Sequence, residues 1–451
     1  MVISRESDTL PTFRELIDKR DFRALKDLLV DLHYADAVML IEELDLKDRV
    51  IVFRVLPKRV AAEAFTYLPF DEQQQLLELF TDRQTAQMFE EMDPDDRADV
   101  LEEFPANVVR DLLKRISPEE RMMTSQLLGY PENSAGRMMT PEFVDLKAEM
   151  SVDEAIEKIR RIGLQKETIY YLYVTSAHRK LKGTVSLRDI ISAQPDVKIA
   201  DIMAPDPVVA NTHMDQEEVA AIAVKYDFLA VPVVDNENRL VGIVTIDDLV
   251  QVMEEEASED VYRMAAMEEL EDSYFDTSLP VLFRRRILWL ILLVFAQAGT
   301  GALLKHYQEA LTQVIMLVYF VPMLTGSSGN AGTQSAAIMI RGLATGEIEF
   351  NQIWRIIGRE IAMGVILGLV LGIIGGSMSM ILGNDPKLFL AVSIAFLLTI
   401  ITGNFAGAFL PLLFKRIGFD PAVMSGPFIT TIVDFSGVII YFQIAKMIFN
   451  I

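Results

Sequence analysis

The sequence predicts a multidomain membrane protein. It divides into an all-α superhelical N-terminal domain over 1–130, an α/β domain over 138–256, an acidic linker helix over 257–283 and a five-helix transmembrane domain over 284–451. Three features point to this organisation. Apolar blocks long enough to cross a bilayer begin after Arg284, a pattern of strands and helices occurs twice between 138 and 256, and the net charge changes sign at the boundary between the halves.

Residues 10 to about 130 carry apolar side chains at spacings of three and four, as in FRALKDLLVDLHYADAVMLIEEL and VVRDLLKRISPEERMMTSQLL. That period belongs to short amphipathic helices. Pro57, Pro69, Pro94, Pro105 and Pro118 punctuate them every 11 to 25 residues, which suggests a stacked superhelix rather than a closed bundle.

The next region is an internal repeat. MMTPEFVDLKAEMSVDEAIEKIR followed by IYYLYVTSAHRKLKGTVSLRDII is echoed by IMAPDPVVANTHMDQEEVAAIAV followed by LAVPVVDNENRLVGIVTIDDLVQ. In each copy a helix precedes two β-branched strands joined by a polar turn, and a second helix follows. The motif Gly-apolar-apolar-Ser/Thr-x-x-Asp falls on Gly183, Ser186, Asp189 and again on Gly242, Thr245, Asp248. This resembles a tandem CBS pair. The resemblance implies a nucleotide such as ATP, with Ser186 at a phosphate, Asp189 at ribose hydroxyls, and Tyr171, Arg188, Phe228 and Pro232 completing an adenine pocket. Helix N-termini favour anions, so that chemistry is reasonable. The alternative is that Ser186 and Thr245 are N-caps, each followed three residues later by an acid.

The soluble half is strongly acidic. The chain has a formal net charge of -23, and residues 284–451 hold 11 Lys+Arg against 7 Asp+Glu, which leaves 31 and 58 in the first 283. Such a charge repels nucleic acid and anionic lipid, and it strains a compact arrangement by self-repulsion. It either keeps the domains soluble or is neutralised by divalent cations bridging facing carboxylates. MEEEASEDVYRMAAMEELEDSYFD, residues 253–276, reads as an acidic helix leading into the membrane domain.

The apolar blocks are Ile287–Leu304, Val314–Ile340, Ile356–Leu382, Leu388–Phe414 and Ala422–Ile448. Each reaches the roughly 17 or more residues a span needs. Arg284, Arg285, Arg286, Arg341, Arg355, Arg359, Lys415 and Arg416 flank them on one side, against Lys305, Lys387 and Lys446 on the other. Positive charge stays on the cytoplasmic side, so the N-terminal domains are expected in the cytosol and the C-terminus outside the cell (inner) membrane. MVISRESDTL is not expected to be a signal peptide. The absence of cysteine rules out disulfides and thiolate metal sites.

Asp434 stands in PFITTIVDFSGVIIYFQIAKMIF, where an ionised carboxylate is costly and usually functional. Thr430, Thr431, Asp434 and Gly437 recur at spacings of three and four and share one helix face. The acid reads as a cation site, or as a buried structural acid bonded to Thr430 or to a hydroxyl near Ser327. Asn404 is another polar group at membrane depth. Gly364, Gly368, Gly372 and Gly376 form one stripe and predict close helix packing. TGSSGNAGTQSA, residues 325–336, is expected to interrupt the second span, as such breaks do where they are buried or line water. It lacks the Lys of a phosphate loop.

Together with GFDPAVMSGPF and TTIVDFSG, these segments resemble the MgtE family of magnesium channels and transporters, across nearly the whole chain. The resemblance implies a homodimer in which two copies of Asp434 face each other across a pore, with Thr430 contacting the water around Mg2+. It makes the linker helix a plug. Carried over by position, the sensor acids are Glu63, Asp95 and Asp99 on the N domain, Glu217, Asp227 and Asp248 on the CBS pair, and Glu259 on the plug. Plentiful cytosolic Mg2+ would bridge them and hold the closed state. The chain departs from the family at Gln251 and Gly426, where an acid and an Asn are usual. Asp248 is claimed by both the metal and the nucleotide readings, and metal is favoured.

DPDDRADVLEEF, residues 93–104, is not an EF-hand, because Arg97 and Ala98 stand where an oxygen ligand and Gly are needed. An enzyme is not expected. His33, His178, His213 and His306 are scattered, with neither metal-ligand nor triad spacing. The rival functions are a nucleotide-sensing membrane regulator without conduction and a Na+-coupled divalent cation exchanger.

Overall fold

The computed structural model describes residues 13–450 except 31, 269, 271–273, 275–276, 349 and 424–425. The chain forms two compact units, residues 1–253 and 254–451.

The first unit opens with short helices: Phe22–Leu29, Tyr34–Glu42, Leu46–Val55, Lys58–Thr66, Phe70–Leu79, Asp82–Glu91, Pro94–Glu102, Ala106–Leu113 and Pro118–Leu127. Pro57, Pro69 and Pro105 are the N-caps of their helices, and Pro94 and Pro118 occupy the first turn. Proline is tolerated there because the N–H it lacks has no partner inside the helix anyway. Helices pack mainly on the next but one: Leu46–Val55 lies against both Phe22–Leu29 and Phe70–Leu79, and Lys58–Thr66 against both Tyr34–Glu42 and Asp82–Glu91. The result is the expected superhelix. Its continuous core runs from Phe13 to Ile116, with Phe65 in contact with Phe53, Phe80 and Phe89.

Two small sheets follow. The first has the order β1-β2-β3-β4, with β1 at Asp145–Leu146, β2 at Tyr171–Thr175, β3 at Leu181–Ser186 and β4 at Ala204–Pro205. The second has the order β5-β6-β7, with β5 at Ala210–Asn211, β6 at Ala230–Val234 and β7 at Leu240–Thr245. In each, a short parallel strand leads into an antiparallel hairpin whose register slips once near its turn, at Val174/Thr175 and at Val233/Val234. Arg179 and Asn238 take positive φ at matching places in the two turns. Helices Val152–Ile162 and Gln216–Tyr226 precede the hairpins, and Leu187–Ser192 and Ile246–Met264 follow them. The repeat in sequence is therefore a repeat in structure. Gly183 and Gly242 serve close packing, because a Cβ would lie 2.7 Å from the Ala204 carbonyl oxygen and 2.6 Å from the Met139 sulfur.

In the second unit the long helices are Leu279–His306, Val321–Ala344, Ile353–Gly383, Pro386–Arg416 and Gly426–Phe449, numbered here first to fifth and called spans after the expectation from sequence. Four of them are long and apolar enough to cross a membrane by length and composition among the described residues. The second, 24 residues long, falls outside that set, since Asn330, Gln334 and Arg341 together with its Gly, Ser and Thr lower its hydropathy. The fourth span packs against the second, third and fifth, and the first packs on the fifth. The glycine stripe lies on the fourth span: Cβ atoms at Gly364, Gly368 and Gly372 would come within 2.9, 2.9 and 2.8 Å of backbone atoms of Ile401, Leu397 and Ser393.

Two sequence expectations need correction. Residues 325–336 do not interrupt the second span, which is helical from Val321 to Ala344 after a 3-10 turn at Ile315–Phe320. The hydroxyls of Thr325, Ser328 and Thr333 donate back to the carbonyls of Val321, Leu324 and Gly329, so these polar groups are satisfied inside the helix. Glycines on both helices allow backbone contact with the fourth span: a Cβ at Gly332 would stand 3.1 Å from the Gly403 carbonyl oxygen, and one at Gly407 2.1 Å from the Gly332 carbonyl oxygen. The linker helix also ends early. Ile246–Met264 is one helix, Ala266 turns at φ 55, and the next helix begins at Leu279. Parts of the acidic segment beyond Met267, and Met424 and Ser425 of GFDPAVMSGPF, lie outside the described residues.

Candidate cation site and regulatory surfaces

Asp434 is half-buried on the fifth span. Gln297 of the first span donates its side-chain amide to the Asp434 carboxylate at 3.3 Å, the one polar partner among the described residues. Thr430 shares its face but does not bond to it. The Thr430 and Thr431 hydroxyls both donate to the Pro427 carbonyl, at 2.8 and 2.9 Å. Gly329 makes room for Thr430, since a Cβ there would lie 3.0 Å from its methyl. Gly426 similarly meets Thr333, at 3.0 Å. An acid without a cationic partner keeps its charge available to a passing cation.

The acids of the first unit gather around the Pro94–Glu102 helix. Arg97 is fully buried and points into the N domain, donating to Thr124 Oγ1, to the Phe89 carbonyl and to Glu120. With Arg97 turned inward as a strut, Asp95, Asp96 and Asp99 share one electrostatic environment with Asp248, at the start of the Ile246–Met264 helix. Asp95 is buried, its Oδ1 has no hydrogen-bond partner, and burial together with Asp248 and Asp96 holds it protonated well above the carboxylate range. Burial and the neighbouring acids also raise Asp96 to about 7, Glu167 to about 7 and Asp248 to about 6. Asp99 reaches water, yet the surrounding protein and then Asp96, Asp248 and Glu102 push it up to about 8. Among the described residues no three such side chains converge closely enough to hold a metal directly. The orphaned Asp95 oxygen and the cost of ionising these neighbouring acids together nevertheless suit a hydrated divalent ion, whose charge would offset theirs and which binds through its own water.

Of the other expected sensor acids, Glu63 adjoins this cluster, where its charge adds to the rise of Asp96. Glu63 accepts from Arg59 at 2.9 Å. Glu217 and Asp227 lie at opposite ends of the Gln216–Tyr226 helix, Asp227 as its left-handed C-cap, so the helix itself keeps them about 15 Å apart. Glu259 is paired with Arg263, and the same guanidinium also reaches Asp420 ahead of the fifth span.

In the CBS-like pair, Ser186 caps the Leu187–Ser192 helix. Its hydroxyl accepts from the Asp189 N–H at 3.1 Å and donates to the Asp189 carboxylate at 2.6 Å, and Thr245 donates to Asp248 at 2.7 Å. Ser186 therefore makes the capping contact, while Thr245 is held by the acid three residues on. Tyr171 pairs with Ser186 across β2 and β3 and packs in one cluster with Ala230 and Val234 of β6, the strand that carries Pro232. Arg188 and Asp189 are exposed. Phe228 stacks on Tyr226 at 5.6 Å and joins a different cluster, with Val219 and Leu249.

Reasoning from sequence missed Gln297, Asp96, Glu167, Arg263 and Asp420. Gln297 could have been found as a lone amide in an apolar span, and Asp420 lies in a segment that had already drawn attention. Asp96 and Glu167 acquire their setting only through tertiary contact.

Three family descriptions match the chain: MgtE, divalent cation transporter, over residues 321–444; MgtE intracellular N domain over 32–133; and the CBS domain over 135–196 and 199–255. The chain is 37% identical to the magnesium transporter MgtE of Thermus thermophilus, over 97% of this chain and 98% of that one. It is 36% identical to the magnesium transporter MgtE of Bacillus subtilis, over 96% and 89%. Among solved structures, the cytosolic domain of the Mg2+ channel MgtE in complex with ATP is 40% identical, with a TM-score of 0.52, and covers 54% of this chain and 99% of its own. The soluble part of a magnesium transporter is 32% identical, with the same TM-score of 0.52, and covers 55% and 98%.

Proposed function

The chain belongs to the MgtE family of divalent cation transporters, proteins that transport rather than catalyse, and on that premise we propose that it conducts Mg2+ across the cell membrane as a homodimer. The observation that carries this is Asp434, a membrane-depth carboxylate held by an amide rather than paired with a cation. Mg2+ dehydrates reluctantly and takes octahedral oxygen ligation at about 2.0–2.1 Å, so a pore holding the hydrated ion needs few carboxylates. Two Asp434 side chains, one from each protomer, balance its charge, whereas Na+ or K+ would leave a residual charge. Thr430 then contributes backbone and hydroxyl oxygen to the surrounding water. The second helix crosses with the other four, the N-terminal domains lie in the cytosol and the C-terminus outside.

Cytosolic Mg2+ closes the pore. Hydrated ions between Asp95, Asp99 and Asp248 neutralise a cluster that is otherwise stable only when protonated. Glu63, Glu217, Asp227 and Glu259 supply further regulatory sites, with the Ile246–Met264 helix carrying the signal as the plug. ATP at the CBS pair, between Ser186, Arg188 and Asp189 and the apolar Tyr171, Phe228 and Pro232, raises the Mg2+ affinity of the closed state, and linkage makes that effect reciprocal. The test is Mg2+ uptake by proteoliposomes with and without a sodium gradient. Uptake indifferent to sodium supports conduction, and uptake that requires the gradient replaces it with exchange.

A further inference from the structure

A second polar cluster lies in the membrane unit, away from Asp434. Ser335 of the second span, Glu360 of the third and Asn404 of the fourth meet where glycines bring the helices together. A Cβ at Gly364 would lie 3.5 Å from the Asn404 side chain, and one at Gly403 would lie 2.5 Å from the Ser328 carbonyl oxygen. The Ser335 hydroxyl is within 2.8 Å of a Glu360 carboxylate oxygen and 3.1 Å of the Asn404 carbonyl, and its single proton can serve only one of them. The Asn404 amide nitrogen reaches the Glu360 carbonyl at 3.4 Å.

Asn404 is only 3% exposed, and its side-chain oxygen has no hydrogen-bond partner. A buried acceptor without a partner is destabilising, and reversing the amide would orphan its nitrogen instead. Glu360 has no ion pair with Lys, Arg or His among the described residues. One carboxylate and an orphaned carbonyl oxygen, beside a hydroxyl with a free lone pair, make an oxygen-only donor set lacking positive charge. Hard cations take such ligands. A single carboxylate neutralises one charge, so a divalent ion here would leave an uncompensated charge in a buried setting.

We propose that Ser335, Glu360 and Asn404 form a binding site for a small monovalent cation of the sodium class, separate from the Asp434 site. Glu360 lies seven residues into its helix, about 10 Å from the Ile353 end, and is half-buried, which leaves the ion a route to water. The site is independent of the magnesium reading, since it shares no residue with it.

The test is equilibrium binding of radioactive sodium to the purified full-length protein in detergent, with divalent ions chelated and choline as the background cation. Wild type is expected to bind one saturable sodium per chain. Glu360→Gln should weaken binding by about tenfold or more, Asn404→Ala should weaken it several-fold, and Asp434→Asn should leave it unchanged. If Glu360→Gln fails to fold, Asn404→Ala and Ser335→Ala read the same loss. Absence of saturable binding in wild type overturns the site. Unaltered binding in the Glu360 and Asn404 variants overturns it equally.

Discussion

The Gln297 amide of the first span donates to the Asp434 carboxylate of the fifth at 3.3 Å, at the long end of the hydrogen-bonding range. Such a bond to a charged acceptor contributes roughly 1–2 kcal/mol and orients the carboxylate. Gln297→Leu is therefore expected to slow Mg2+ flux in proteoliposomes several-fold without abolishing it. Flux equal to wild type would show that the amide does not position Asp434.

The acidic cluster predicts a pH effect of definite sign. Asp96, Asp99, Asp248 and Glu167 have folded-state values of about 7, 8, 6 and 7, above those of an unfolded chain. Protonation favours the packed arrangement, so its stability is complete below about pH 4 and is lost progressively as pH rises from there through about 8. With Mg2+ chelated, amide exchange in the Pro94–Glu102 helix should speed up between about pH 6 and pH 8.5 beyond its intrinsic rate, and millimolar Mg2+ should suppress the increase. Exchange that follows the intrinsic rate alone would contradict the cluster's role.

Replacing Asp95, Asp99 and Asp248 together with Ala should leave conduction intact and remove inhibition by internal millimolar Mg2+. Removing repelling carboxylates also relieves the metal-free protein, so its cytosolic region should melt later than wild type in chelator. Flux at low and high internal Mg2+ checks the first expectation. Inhibition that persists undiminished would remove the bridging account.

Arg263 joins Glu259 on the linker helix to Asp420 in the loop before the fifth span. If that contact holds the closed arrangement, Arg263→Gln should raise flux at inhibitory Mg2+ while leaving flux in Mg2+-free cytosolic buffer within about twofold. Equal inhibition in the two proteins would make the pair incidental.

Two glycines on one helix separate packing from propensity. Gly368→Ala places a Cβ 2.9 Å from the Leu397 backbone and should cost about 1–3 kcal/mol, whereas Gly358 has nothing within 4 Å and its Ala variant should gain up to about 1 kcal/mol. Melting in detergent should fall for the first and hold or rise for the second. The reverse order would mean that the third span does not pack on the fourth as described.

Much of the fold is legible in the sequence because its cues are local. Pro57, Pro69 and Pro105 mark helix starts by their own geometry, and the hairpins of the repeat are written in short β-branched and aromatic runs joined by polar turns. The same local reading misjudged TGSSGNAGTQSA, because Gly and Ser signal breaks in water but close helix contact in an apolar setting, with hydroxyls turned onto the preceding turn. Asp434 stood out because it is an acid in an apolar stretch, and Gln297 could have stood out as its neutral counterpart. The grouping of Asp95, Asp96 and Asp99 with Asp248 was beyond reach by spacing. It joins residues about 150 positions apart, and it depends on Arg97 turning inward, where the sequence showed only a charged residue in an acidic run.

The most direct measurement is Mg2+ flux into proteoliposomes made with wild type, Asp434→Asn and Asp434→Ala at matched protein density. The account predicts that both neutral variants lose Mg2+ flux by about tenfold or more while folding as wild type does. Flux at the wild-type rate through either neutral variant would contradict the assignment of Asp434 to the ion's path.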